Sequence, residues 1–528
     1  MPRLLHDLIL EQAGQRPQAT AIVHRQQALC YAELAEQVQA VARGLLALGL
    51  SRLERVAVYL PKRPETVGAL FGAALAGGVF VPINPLLKPE QVAHILKDCN
   101  VRVLVTAPER AKLLAPVLAG CHDLHFLVLV DTTEPPPLHH LETLSWRNLL
   151  DSHSARPNHR IIDMDMTAIL YTSGSTGKPK GVVLSHRNML TGALSVAEYL
   201  GNHGDDRLLA VLPLSFDAGL SQLTTAFAAG ARAVLMDYLL PRDVLNTVAR
   251  EGITGLTAVP PLWVQLAQLN WPPEAQERLR YIANTGGHMP RTTLTALRQG
   301  LPNTQVFLMY GLTEAFRSTY LPPAELDRRP DSIGKAIPNA EILVVREDGS
   351  PCAPGEPGEL IHRGSLVALG YWNDPDKTAQ RFRPVPGQPA GLPMPEMAAW
   401  SGDTVRMDED GFLYFIGRKD DMIKTSGYRV SPTEVEEVVY ASGLVAEAAA
   451  IGVPHPLLGQ GIVAMVKPLP ADRFDPAAVI EYCQRQLPNF MVPLQVLARD
   501  HLPRNPNGKI DRKFLVSELQ ELFKEASA

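Results

Sequence analysis

Cysteine is sparse in this 528-residue chain and poorly placed for cross-linking: Cys30, Cys99, Cys121, Cys352 and Cys483 are scattered, with no Cys-x-x-Cys pair. This excludes a disulfide framework and a cysteine-based zinc site, and fits a reducing cytoplasm. No apolar run suits a membrane span. The most apolar stretch, Val67 to Ile83, falls short of the roughly 20 residues a spanning helix needs and is broken by Gly77, Gly78 and Pro82. It reads as a buried helix followed by a buried strand. No long basic run marks a nucleic-acid partner, and there is no internal repeat. The first helix-like segment does not read as a signal peptide, because Asp7 and Glu11 interrupt it and no small-residue cleavage site follows it.

What remains is a chain with 46% hydrophobic residues, 20% charged residues and a net charge of -5, long enough for more than one domain. From about residue 20 to 330, short β-rich runs alternate with helical ones, as in VAVYL, ALFGAALAG and VFVPI. Such alternation predicts an α/β fold of parallel sheets covered by helices. Between residues 340 and 416 the texture changes to β runs and Asp-Gly turns, which suggest hairpins. Past Gly417 a compact α+β tail follows, with a helix at PTEVEEVVYAS. The proline-rich loop DTTEPPPLHHLET carries His139 and His140, which read as solvated rather than metal-bound.

One stretch invites a phosphate. YTSGSTGKPKGVVLSH runs from Tyr171 to His186 between apolar flanks. Gly174 and Gly177 let backbone N–H groups approach an anion, Ser173, Ser175 and Thr176 add donors, and Lys178 and Lys180 add charge. The plainer alternative is a flexible glycine-serine turn. A Walker P-loop does not fit, since Gly174 and Gly177 are too close and Pro179 follows the lysine where a helix should start.

Further motifs follow in order: LPLSFDAGL, NTGGHMP, YGLTE, SGD, GRKDDMIKTSGYRVSPTEVEE and NPNGKIDR. Taken singly, each has an ordinary reading. Glu314 could be a helix N-terminal charge, Asp403 a turn aspartate, and Lys509 an exposed hairpin tip. In this order, over nearly the whole chain, the set resembles the adenylate-forming superfamily of acyl-CoA synthetases, nonribosomal peptide adenylation domains and luciferases.

The resemblance implies an ATP-dependent acid-thiol ligase, which adenylates a carboxylate, releases pyrophosphate and passes the acyl group to a pantetheine thiol. It implies an N-terminal AMP-binding domain over 1–417 with a β-rich subdomain at about 335–417. A small mobile domain would cover 418–528, hinged near Asp420. The loop of Thr172, Ser173, Gly174, Ser175, Thr176, Gly177 and Lys178 would clamp the β- and γ-phosphates. Glu314 would hold Mg2+ and Thr313 would touch the α-phosphate. Tyr310, next to Gly311, would stack on adenine opposite Gly286, Gly287 and His288, while Asp403 and Arg418 would hold the ribose. Lys509 would be the main catalytic residue, and the strand bearing Lys424 and Gly427 would replace it during thiol transfer.

The substrate reading turns on Phe216 and Asp217. Many acyl-CoA synthetases carry an aromatic residue followed by histidine there. In amino-acid-activating relatives the Phe-Asp pair sets a carboxylate against the substrate ammonium, a cation that would offset its desolvation. The alternative is that Asp217 caps the following helix. Asn284, Met309, Arg317 and Ser318 complete a polar pocket that suits a small polar or amino acid better than a long fatty chain. Arg317 could pair with Asp217 or meet an acidic substrate. LSFDAGLSQL is also similar to stand-alone prolyl-AMP ligases and to acyl-CoA ligases associated with the exosortase A system. With no carrier domain after residue 528 and no condensation domain before residue 1, the expected acceptor is free CoA or a separate carrier protein.

Overall fold

Prolines open several of the helices, at a position whose missing N–H is not needed, and glycines let the chain turn after them. The order is clearest in the strand Arg55–Tyr59, helix Pro64–Leu75, strand Val79–Pro82, helix Pro89–Asp98 and strand Val101–Thr106. The strand Arg55–Tyr59 pairs in parallel with both of the other strands. Gly77, at φ +77°, ends the helix that the apolar stretch predicts. In this computed structural model the described residues are all except 1, 137, 139–140, 154–158, 173–178, 390, 392, 419–421, 426–427, 457, 470–473, 506–507 and 524–528. Expectations for His139, His140, Ser173, Gly174, Ser175, Thr176, Gly177, Lys178, Asp420 and Gly427 therefore lie outside the described residues.

Among the described residues the strands form sheets of fourteen, eight and five strands. The eight-stranded sheet is mostly parallel, but Met166–Thr172 and Lys180–Ser185 run antiparallel to each other. The candidate phosphate loop thus joins two strands, where a Walker loop joins a strand to a helix. The fourteen-stranded sheet holds the parallel strands Arg207–Ala210, Gly255–Ala258, Tyr281–Asn284 and Gln305–Leu312 at its centre. The β-rich stretch is joined to it edge-on. Strand Phe316–Leu321 pairs with Ser332–Ala336, which pairs with Leu413–Arg418. The five-stranded sheet packs helices Pro432–Ala441 and Pro476–Gln486 around Ile423, Val435, Val439 and Ile462. No helix among the described residues is long and apolar enough to cross a membrane.

A buried ion pair ties three strand entries together at the end of the large sheet away from the site. Asp206 accepts from Arg280 Nε and from Thr254 Oγ1, at 2.9 and 2.7 Å, and its side chain is fully buried. Burial opposes its ionisation, yet Arg280, Thr254 and Asn202 together hold its pKa below the usual value. The stability it contributes is present above the unfolded carboxyl pKa and is lost as pH falls through the lowered one. Asp206→Ala removes the shared acceptor of Thr254 Oγ1 and the one-third-exposed Arg280, and the expected cost is about 1–3 kcal/mol in denaturant unfolding. A loss near zero would mean that solvent already screens the pair.

Candidate functional site

The YGLTE segment is a tight reversal between the strands Gln305–Leu312 and Phe316–Leu321. A Cβ on Gly311 would lie 2.2 Å from the Phe316 carbonyl oxygen, so only glycine lets the return strand approach this closely. The register shifts at Tyr310 and Gly311, and the reversal leaves Thr313 and Glu314 buried at its tip. A cavity of about 2260 Å³ opens beside it, lined by Thr172, Lys180, Gly286, Gly287, Tyr310, Asp403 and Lys509 among others.

Glu314 sits among cations. Its Oε1 lies 3.2 Å from Lys180 Nζ and 3.9 Å from Arg381 Nε, and it accepts from the Tyr371 hydroxyl. Burial works against ionisation here, but Arg381 and Lys180 outweigh it and hold the carboxyl down to about 2. Lys180 also stands over the Tyr371 ring, 4.1 Å from its centroid. The motif reading counted Lys180 only as loop charge and missed Tyr371 and Arg381. Their signal was weak, since only GYW and TAQRF mark them and both lie in sequence far from Glu314.

Asp403 forms the second anchor. It is buried in the strand Met397–Met407 and accepts from the Tyr310 hydroxyl and from Arg418 Nε at 2.9 Å. The Tyr310 ring stacks on His362, with centroids 6.0 Å apart and planes 12° off parallel. His362 also escaped the motif reading. Burial first, then Arg381, pushes its pKa down to about 3, so it is neutral at physiological pH. Across the cleft, Gly286 adopts φ +77° and His288 pairs with Glu437 of the helix Pro432–Ala441.

Lys509 reaches this cleft from the end of the chain. Among the described residues beside it, the Asn505 N–H donates to the Lys509 carbonyl at 2.8 Å and Gly508 adopts φ +80°. The ammonium lies 5.9 Å from the centroid of the Phe216 ring, and Lys509 Cε would be 3.5 Å from a Cβ on Gly286. Loss of hydration lowers its pKa and Arg418 adds to this, while Asp217, Asp403 and Glu314 oppose it. Lys424 is exposed on the five-stranded sheet, where its N–H donates to Gln460.

Of the substrate set, Met309 lines the cleft, while Phe216, Asp217, Asn284, Arg317 and Ser318 are buried behind its wall. Asp217 is the first residue of the helix Asp217–Ala229, and Phe216 occupies the cap position. Of the alternative cap role there remains only a contact with the Ala218 amide, and Oδ1 is buried with no hydrogen-bond partner. Burial raises the Asp217 pKa despite Arg317 and Lys509. The direct pair of Arg317 with Asp217 is absent among the described residues. Arg317 donates instead to Ser221 Oγ at 2.9 Å and to the Ala218 carbonyl at 3.1 Å, because the helix end offers its guanidinium closer acceptors. Asn284 donates to the Gly287 carbonyl at 2.8 Å, and Ser318 donates to the Ala315 carbonyl at 3.3 Å. Asn284 Oδ1, Arg317 Nε and Ser215 Oγ are also buried without partners.

A family model described as AMP-binding enzyme matches residues 9–372, and one described as AMP-binding enzyme C-terminal domain matches residues 434–509. The chain belongs to the AMP-binding enzyme family. The enzyme is 31% identical to feruloyl-CoA synthase of Amycolatopsis sp, over 95% of this chain and 96% of that one. It is 30% identical to L-proline--[L-prolyl-carrier protein] ligase of Pseudomonas fluorescens, over 98% of this chain and all of that one. It also matches a linear gramicidin synthase of Brevibacillus parabrevis at 30% identity, but spans only 10% of that protein's length. Its fold matches the crystal structure of ATP-bound MatB from Rhodopseudomonas palustris with a TM-score of 0.85 and 27% identity, covering 98% of this chain and 99% of that one. The enzyme is an AMP-forming, adenylating ligase.

Proposed function

We propose that the enzyme activates a small polar or amino acid with ATP and passes the acyl group to a pantetheine thiol, on CoA or on a separate carrier protein. The observation that carries this reading is Lys509 reaching into one cleft with Tyr310, Asp403 and Lys180, the last bonded to the buried Glu314. The acid's carboxylate oxygen attacks the α-phosphorus as the bond to the bridging oxygen breaks, and pyrophosphate leaves. Two anions must meet, and the Lys509 ammonium lowers the repulsion between them. Tyr310 offers an aromatic face for adenine and Asp403, with Arg418, offers acceptors and charge for the ribose. Thr313 and Thr172 supply hydroxyls toward the phosphates. In the second step the thiolate attacks the acyl carbonyl, AMP leaves with the electrons of the carbon–oxygen bond, and the thiol proton passes to solvent.

Magnesium suits the donor set. Mg2+ takes one or two carboxylates and fills its shell with water and phosphate oxygens, and no cluster of three metal-binding side chains exists among the described residues. Glu314 would hold the ion, which when bound neutralises phosphate charge. The proposed division is 1–417 and 418–528, with rotation about Asp420 removing Lys509 and presenting Lys424 and Gly427 to the thiol. A cytoplasmic setting would supply the ATP. ATP-pyrophosphate exchange with purified enzyme, across amino acids and a ladder of carboxylic acids, tests the reading. Exchange with at least one acid is expected, and then thioester formation with CoA or a phosphopantetheinylated carrier. No exchange with any acid would overturn it.

A further inference from the structure

Glu314 and Asp403 mark the two ends of the proposed nucleotide site, and among the described residues Arg381 lies near both. The Arg381 guanidinium has Nε 3.9 Å from Glu314 Oε1, beyond hydrogen-bond reach, while Nη1 donates to the Trp400 carbonyl at 2.8 Å. A Cβ on Gly402, the residue before Asp403, would lie 3.2 Å from Nη1. Nε itself is buried with no hydrogen-bond partner, and Arg381 lines the cleft. The charges around it do not cancel. Glu314 faces both Lys180 and Arg381, while the other carboxylate, Asp403, is already paired with Arg418. A buried donor without an acceptor costs about 1–3 kcal/mol, and a planar guanidinium suits phosphate oxygens through two parallel N–H bonds.

Resting on the adenylating reading above, we propose that Arg381 is a further binding residue for the ATP polyphosphate. A chain that runs from a ribose at Asp403 to phosphates at Glu314 passes its guanidinium. Lys180 is a point charge at the Glu314 end, and Arg381 extends the positive charge from there toward Asp403. The test uses calorimetric binding of a non-hydrolysable ATP analogue, inorganic pyrophosphate and AMP to the full-length enzyme, with Arg381→Gln and Arg381→Lys, and melting temperature measured in parallel. Arg381→Gln is expected to weaken the ATP analogue and pyrophosphate by about 10- to 100-fold, the range for a charged hydrogen-bonding pair, with AMP changed less than threefold. Arg381→Lys keeps the charge but loses the paired N–H geometry, and should fall between. Unchanged affinity for the analogue and pyrophosphate in Arg381→Gln overturns the assignment. So does an equal weakening of AMP, which would mark a general distortion of the cleft. If Arg381→Gln does not fold, wild-type affinity in Arg381→Lys overturns it and weakening confined to the analogue and pyrophosphate supports it. If wild-type enzyme binds neither the analogue nor AMP, the adenylating reading itself has failed.

Discussion

Lys509→Ala is expected to lower the adenylation rate by about 100- to 1,000-fold, the range for removing one preorganised group that stabilises charge in the transition state. Thioester formation from supplied acyl-adenylate should stay within a few-fold of wild type. The two half-reactions are expected to separate because Lys509 reaches the cleft from near the end of the chain and belongs to neither large sheet. Equal loss in both half-reactions would make Lys509 a structural residue. The pH profile gives a second readout. Loss of hydration and Arg418 lower the Lys509 pKa from its ordinary 10.5, against Asp217, Asp403 and Glu314. Adenylation needs the cation, so it should be complete below the lowered pKa and fall as pH rises through it. Asp217→Asn removes one of the groups that raise that pKa, so the alkaline limb should move to lower pH.

Asp217→Asn carries the second large expectation. The carboxylate is buried, Oδ1 has no partner, and Arg317 donates to Ser221 Oγ and the Ala218 carbonyl and not to Asp217. Burial disfavours the charged form despite Arg317 and Lys509, so a further cation placed beside Asp217 would be stabilising. If the substrate ammonium supplies it, exchange with the preferred amino acid should fall by about 100-fold or more in kcat/KM, as expected when one partner of a buried pair is removed. Exchange with simple acids that lack an amino group should fall far less. Equal exchange in wild type and Asp217→Asn with the preferred substrate would instead make Asp217 a helix-start residue, sustained by the Ala218 amide, and return the substrate to plain carboxylic acids.

Much of this was written locally in the chain. Proline helix starts and β-rich runs set the element order from Arg55 to Thr106, and Asn505 to Lys509 reads as a tight turn from composition alone. Such features depend on neighbours a few residues apart, so spacing reveals them. The motif set also placed Glu314, Tyr310, Gly286 and Lys509 in one functional group; the last three line the cleft, and Glu314 lies behind its lining residues Lys180 and Tyr371. Spacing was blind to the pairing of the charges. Nothing near Asp217 indicated that Arg317 would turn to Ser221, and Phe216, not Asp217, takes the cap position.

The sequence by itself determined the alternation of strands and helices, the tight turns and the residues able to handle phosphate, ribose and carboxylate. Tertiary structure decided which charges meet. Glu314 finds Lys180 134 positions earlier and Tyr371 57 positions later, and Tyr310 finds Asp403 across 93. It also decided which polar atoms, such as Arg381 Nε and Asp217 Oδ1, stay buried without a partner. The physical reason is that pairing and desolvation arise only when strands distant in sequence lie side by side, and a side chain's own neighbours in the chain carry no record of what will be packed against it.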